Sequence, residues 1–135
     1  MSNSIIRAEL EARLKTWADA QTPKLLVAFQ NAPFSKPTAG IWLEAFLLPN
    51  RTLHKEVSGA RKTYHGLFQI NCWAPTGNGM GAVERVAQSL VDLYPMLPKT
   101  GNVSIEDTPS QDNPLWDTSG WVIVPVTIKY RMESN

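Results

Sequence analysis

The feature that most constrains the fold is a strand, a glycine-rich turn and a helix that follow one another between Arg61 and Leu97. In the strand, apolar and polar residues alternate, and the apolar parity comprises Tyr64, Phe68, Ile70 and Cys72. Alternation with a period of two predicts one buried face and one wetter face. The strand ends at Pro75, because proline has no N–H for a ladder hydrogen bond.

The helix after the turn carries a single apolar stripe. The stripe is formed by Ala82, Val83, Val86, Ala87, Leu90 and Leu93. Such a stripe predicts a helix that packs against a sheet, and Pro95 ends it. No residue of this strand–turn–helix unit has the chemistry of a catalyst, so the unit is expected to be a scaffold.

Composition narrows the function classes. The chain has 135 residues, 43% hydrophobic and 19% charged, which predicts one globular domain over residues 1–135. The formal net charge is only +1, so the chain lacks the strong positive field that most nucleic-acid binders have. No apolar run reaches the roughly 18–20 residues that cross a bilayer, and the first residues do not resemble a leader peptide. With one cysteine there is no internal disulfide, and we expect a cytoplasmic protein without a membrane partner.

The remaining segments complete an α+β fold. Residues 4–20 have a helical stripe, and strands are predicted at Lys24–Gln30, buried on both faces, and at Ile41–Leu48. Val103–Ile105 is a short strand and Trp121–Met132 a long one, in which Pro125 indicates an edge position or a bulge. The order α-β-β-β-α-β-β predicts a mostly antiparallel or mixed sheet of about five strands, with two helices packed on one face.

Catalytic, metal and cofactor sites are not predicted. Cys72 is the only thiol, and His65 has the opposite strand parity, so the two are expected on opposite faces of the sheet. The histidines, His54 and His65, form no recognised metal motif. Nucleotide binding stays open as an alternative, because Gly77–Gly81 opens a helix where phosphate-binding loops occur, although it matches no nucleotide motif.

Two charged segments of opposite sign suggest self-association. The basic arm comprises Arg51, Lys55, Arg61 and Lys62. The acidic segment, between residues 106 and 119, contains no lysine or arginine and carries Glu106, Asp107, Asp112 and Asp117. A basic patch and a separate acidic patch favour head-to-tail contacts between copies. Candidate interface anchors are Trp42, Trp73, Trp116 and Trp121.

The whole pattern resembles the small tail-terminator and minor tail proteins of lambda-like, long-tailed bacteriophages. The resemblance rests on Gly66–Ile70 (GLFQI), on Ala74-Pro75 and on the glycines of the turn, and the order of elements extends it over most of the chain. It implies a structural protein of the virion tail, encoded by a phage or prophage and assembled in the host cytoplasm. It also implies no enzymatic activity and no cofactor.

The resemblance further implies a ring of six copies that ends the tail tube and forms the surface that joins the tail to the head. The implied partners are other copies, the tail-tube protein and the head–tail connector, and the basic arm would make weak contacts with DNA in the lumen. Two alternatives remain: a connector or tail-tube subunit, and a small-ligand or nucleotide-binding protein that uses the Gly77–Gly81 turn.

Overall fold

The computed structural model describes residues 3–50, 53–54, 62–97 and 101–134. These residues form two helices and eight strands, in the chain order α1 (Asn3–Asp19), β1 (Val27–Phe29), β2 (Trp42–Pro49), β3 (Leu53–His54), β4 (Lys62–Pro75), α2 (Gly81–Leu93), β5 (Ser104–Ile105), β6 (Ser110–Gln111), β7 (Leu115–Asp117) and β8 (Trp121–Ser134).

The strands form one mixed sheet with the continuous order β1-β2-β4-β8-β5. β1 runs parallel to β2, and the other pairs are antiparallel. β3 pairs with the start of β4, while β6 and β7 pair with β8 beside β5. This confirms the predicted α+β class, with three short strands added to the five of the continuous path.

β4 and β8 form the centre of the sheet. They pair over their whole lengths, from Lys62 opposite Ser134 to Pro75 opposite Trp121. Burial alternates along β4 from Gly66 to Pro75, as the sequence pattern predicts. This fixes the register, because a slip of one residue would move every core side chain to the other face.

Both helices lie on one face of the sheet, as predicted. Their buried side chains are Ile6, Leu10, Leu14, Ala18, Val83, Ala87 and Leu90. On the sheet, the covered side chains share one parity and include Leu43, Ala45, Phe68, Ile70, Cys72, Val124, Val126 and Ile128. The opposite face, with Glu44, Gln69 and Asn71, is half-buried and has no helix on it in the described part of the chain.

Tyr94, directly after α2, ties the two helices together. Its hydroxyl donates to the backbone carbonyl of Leu10, 2.7 Å away, and its ring meets Phe68 edge-on at 6.0 Å. Arg13 of α1 also donates to the carbonyl of Leu93, at 3.0 Å. Burial raises the pKa of Tyr94. The end of α2 is therefore held both by packing and by hydrogen bonds.

The prediction that Lys24–Gln30 is a strand buried on both faces is wrong. Only Val27–Phe29 is a strand, its residues are half-buried, and Leu26 is 43% exposed. The reason is position, because β1 lies at the edge of the described sheet and pairs there only with β2. Beyond Phe29, the Gln30 side chain accepts the N–H of Leu47 at 2.8 Å, in place of a further ladder bond.

Pro125 is neither at an edge strand nor at a bulge, contrary to prediction. β8 is paired on both sides, and Pro125 lies directly opposite Asn71 in an unbroken register. On the outer side, its carbonyl accepts the N–H of Asp112 at 2.8 Å, where the pairing is interrupted between β6 and β7. The N–H that proline lacks would point to this interruption, so no ladder bond is lost.

Candidate assembly surface

The acidic segment, residues 106–119, is not a free loop. β6 and β7 lie within it, and together with β5 they run along the outer side of β8. β6 pairs with residues 126–127, and β7 pairs with residues 121–123. We call residues 106–119 the edge segment, because they form the border of the sheet beyond β8.

Two carboxylates of the edge segment, those of Asp107 and Asp112, contact side chains of β8 in their own chain. Asp107 forms an exposed ion pair of 3.5 Å with Lys129. Asp112 accepts a hydrogen bond of 2.7 Å from the Thr127 hydroxyl. These contacts attach the edge segment to the open face of β8, where residues 127 and 129 lie.

Asp117 closes the turn between β7 and β8. It accepts hydrogen bonds from the hydroxyl of Ser119, at 2.7 Å, and from the Ser119 backbone N–H, at 3.3 Å. These two bonds lower the pKa of Asp117, and the positive charge of Lys36 lowers it further. Asp117 is therefore a turn-stabilising residue in addition to a surface charge.

The basic arm is described only in part. Arg51, Lys55 and Arg61 lie outside the described residues. Lys62 is half-buried at the first position of β4, opposite Ser134. Asp117 lies at the other end of β4, roughly 40 Å away along the strand at about 3.3 Å per residue. The pairing of the basic arm with the acidic residues of another copy stays a prediction.

Three of the four candidate tryptophan anchors pack together inside the molecule. Trp42 stacks on Trp73 at 4.9 Å, and Trp121 meets both edge-on at 6.3 and 6.4 Å. Phe34 stacks on Trp42 at 5.3 Å, and the Lys36 ammonium lies 4.6 Å from the centre of the Trp121 ring. We call these four rings the aromatic cluster.

Glu44 lies beside the aromatic cluster on the sheet face away from the helices. Its carboxylate accepts the indole N–H of Trp73 at 3.1 Å and the Asn71 amide at 3.3 Å. This agrees with the expectation that the only charge in the second predicted strand faces the wetter side. The aromatic cluster thus has polar contacts at its border and belongs to the fold of the single subunit.

Trp116 differs from the other candidate anchors. It is 64% exposed on β7, and its neighbour Leu115 is 57% exposed. The register places Trp116 opposite Val122, a core residue, so Trp116 lies on the helix side of the sheet. Leu115 lies opposite Ile123 and so points to the other face, and we call Trp116 alone the edge knob.

A groove lies on the same side of the sheet, near β1. Its volume is about 620 Å³, and it runs between the end of α1, residues 21–26, residues 37–41 and the first half of α2. Its apolar walls include Trp17, Leu25, Leu26, Ile41, Ala82 and Val86. We call it the helix groove. Sequence reasoning missed it because its walls come from four separate segments, although the broad apolar stripe of α2, with Ala82 and Val86, was a usable signal.

The geometry around Cys72 and around the Gly77–Gly81 turn does not support the catalytic and nucleotide-binding alternatives. Cys72 is buried, which raises the pKa of its thiol to about 12, and His65 lies on the opposite face of the sheet. Gly77 and Gly79 adopt positive φ in the turn and do not line the helix groove. No group of three or more metal-ligating side chains occurs among the described residues. Within the same residues, no helix is long and apolar enough to cross a membrane.

Comparison with known proteins finds a family model and solved structures that match the chain. A family model described as "Phage tail terminator protein" matches residues 5–130. A solved structure whose name is only a sequence label is 34% identical, with a TM-score of 0.82, and the match covers 100% of this chain and 98% of that one. No curated protein matches the chain.

Proposed function

This chain belongs to the phage tail terminator family, and we propose that its copies close into a ring of six that caps the tail tube and ends tube growth. The family is one of structural proteins of the virion tail. The observation that carries the proposal is the extent of the match, which runs from α1 into β8 and so includes every element of the fold.

A ring requires two different surfaces on each copy. A heterologous contact with the correct rotation closes on itself, and a closed ring leaves no free surface for further copies. The chain has an acidic edge segment along one border of the sheet and a border at β1 that is built differently. Two unlike borders are what a head-to-tail contact needs.

The proposed partners are further copies, the tail-tube protein below the ring and the head–tail connector above it. The subunit would be made in the host cytoplasm and assembled there. The basic arm, with Arg51, Lys55, Arg61 and Lys62, is proposed to line the lumen, where a few cations give weak contact with passing DNA. Charge reversal at Arg61 and Lys62 should leave assembly intact if the basic arm only lines the lumen, and should weaken assembly if the arm pairs with the acidic segment of another copy.

The test combines solution mass with tube capping. We expect light scattering over a concentration series to reach a mass near six subunits and to stop there. When the protein is added to polymerising tube protein, electron microscopy should show shorter tubes with added density at one end. Open-ended growth of this protein alone would instead identify a tube subunit. A monomer that purified tubes do not recruit would end the capping proposal.

The nucleotide-binding alternative has a simple test. A ligand at one hundred times its dissociation constant stabilises a protein by roughly 2.7 kcal/mol, which a thermal-shift measurement detects. We expect no shift with ATP, GTP or NAD. A reproducible shift that Gly79→Val removes would favour ligand binding at the Gly77–Gly81 turn.

A further inference from the structure

We propose that the edge knob of one copy, Trp116, inserts into the helix groove of the next copy and forms the ring contact. The inference rests on the ring of the proposed function and names the surfaces that make it. The occupant of the groove is thus a second copy of this chain, and the arguments are exposure, charge, position and size.

Trp116 is the most exposed tryptophan among the described residues. Trp42 and Trp121 are 5% and 8% exposed, whereas Trp116 is 64% exposed. Tryptophan is enriched at the centres of protein interfaces, where a large ring is desolvated at a low cost in conformational entropy. An exposed tryptophan is therefore a surface that favours burial by a partner.

The two surfaces carry opposite charge. The edge knob lies within the edge segment, which has four carboxylates and no lysine or arginine; Asp107 and Asp112 contact the open face of β8, where Asp107 pairs with Lys129. The helix groove has Lys24 and Arg85 among its lining residues and no aspartate or glutamate, and Lys24 also pairs with Asp19 of α1 at 3.4 Å. The described residues thus supply a basic partner for the acidic segment that is independent of the basic arm. Such complementarity orients the partners and suppresses the reverse pairing.

The positions are those of a head-to-tail contact. Leu115 lies opposite Ile123, which lies opposite Trp73, which lies opposite Trp42. The helix groove begins at the residues directly before Trp42. Knob and groove therefore lie at one level of the sheet on opposite sides of its centre, and Trp116 and the groove share the helix side. A displacement across the strands, combined with the rotation that closes a ring, brings one copy's knob to the next copy's groove.

The sizes agree as well. A buried aromatic side chain of this kind covers roughly 150–250 Å² of surface. The groove, at about 620 Å³ and with mostly apolar walls, has room for an indole ring. Each copy donates one knob and accepts one, so the same contact repeats around the ring.

The first experiment mixes two defective variants. Trp116→Glu removes the knob and leaves the groove, whereas Ala82→Trp fills the groove from an exposed position of α2 and leaves the knob. We expect each variant alone to associate at least about tenfold more weakly than the wild type. Mixed together, they retain one good interface per pair and should form species of two subunits and nothing larger.

The matched control is Gln88→Trp, an exposed position of α2 that does not line the groove, and it should assemble like the wild type. Wild-type assembly by Trp116→Glu would overturn the proposal. So would a mixture that remains monomeric while the wild type forms rings.

A second experiment works even where the free protein is monomeric. Ala82→Cys with Thr118→Cys in one chain, which leaves Trp116 in place, should form intermolecular disulfides in mild oxidant at least about tenfold faster than Gln88→Cys with Thr118→Cys. The buried Cys72 does not compete. Equal rates in the two double variants would overturn the assignment of the groove.

The outcomes separate this inference from the proposed function. If wild-type rings cap tubes and the knob and groove variants do so equally well, only the contact is wrong. If the disulfide forms as expected and tubes are never capped, the contact stands between copies and the capping function fails.

Discussion

The centre of the sheet and the edge segment differ in what their side chains meet. Along β4, Phe68 and Ile70 are fully buried between the sheet and the helices. Along the edge segment, Leu115 and Trp116 are more than half exposed, and Asp107 and Asp112 bond to the outer face of β8. Trp116 and Trp121 are five residues apart in the chain and lie on opposite sides of this division.

The difference separates two kinds of free energy. Burial of apolar surface in the centre contributes to folding of the single copy, at roughly 25 cal/mol per Å². Apolar surface in the edge segment remains in water, so it is free to contribute to association. Substitutions in the centre should therefore change stability, and substitutions at the edge should change assembly.

The largest expected effect compares two tryptophans. Trp121→Ala removes a ring from the aromatic cluster and should lower the free energy of unfolding by about 3–5 kcal/mol. Trp116→Ala should change it by less than about 0.5 kcal/mol, because the side chain is exposed. Urea unfolding at a concentration where the protein is monomeric measures both. Similar losses in the two variants would break the comparison.

The next effect compares two glycines. A Cβ at Gly66 would lie 2.5 Å from the Leu48 carbonyl oxygen and 2.7 Å from the Tyr130 hydroxyl. Gly66→Ala should therefore cost about 1–3 kcal/mol of unfolding free energy. Gly81→Ala, at the first residue of α2, meets only the flexible end of Arg85 at 3.3 Å and should stabilise by about 0.4–1 kcal/mol. Thermal unfolding of the two variants should shift in opposite directions.

A smaller effect separates two buried hydroxyls in the centre. Tyr94→Phe loses the hydrogen bond to the Leu10 carbonyl and should cost about 1 kcal/mol. The Tyr130 hydroxyl is buried and has no hydrogen-bond partner among the described residues. Tyr130→Phe should therefore be neutral or stabilising in urea unfolding. An equal loss in both variants would show that the hydrogen bond at Tyr94 contributes nothing specific.

The smallest expected effect is a change in the pKa of Asp117, in the edge segment. The Asp117 pKa is lowered by Ser119, so the folded state holds this carboxylate ionised more tightly than the unfolded state does. The resulting stability is present above the ordinary pKa of aspartate and is lost as the pH falls through the lowered value. Carboxyl NMR titration should show a higher Asp117 pKa in Ser119→Ala, and an unchanged value would contradict the assigned cause.

The sequence predicts the centre of the fold well because its signals are local and periodic. Alternation along β4 and the stripes of α1 and α2 place Phe68, Leu10 and Leu90 in the core, as observed. The prediction of a strand buried on both faces at Lys24–Gln30 is wrong because an apolar run does not distinguish an edge strand from a central one. Only its neighbours in the sheet decide that.

The edge and the candidate site were harder to predict because tertiary contacts create them. Ser110–Gln111 has no strand signal of its own, and it pairs because β8 offers a free hydrogen-bonding side there. Composition did identify the acidic segment, with Glu106, Asp107, Asp112 and Asp117. It could not show that Trp116 alone among the four candidate anchors points into solvent.

The short strands beside β8 limit how strands of other molecules can pair with this sheet. Backbone groups on the outer side of β8 are already used, for example by the N–H of Glu106 on the Lys129 carbonyl at 2.9 Å. At the other border, β1 is only three residues long. A short or covered border offers few unpaired backbone N–H and C=O groups to a strand of another molecule. The sheet is thus protected against open-ended pairing of strands between molecules, which leaves contacts with other molecules to side chains.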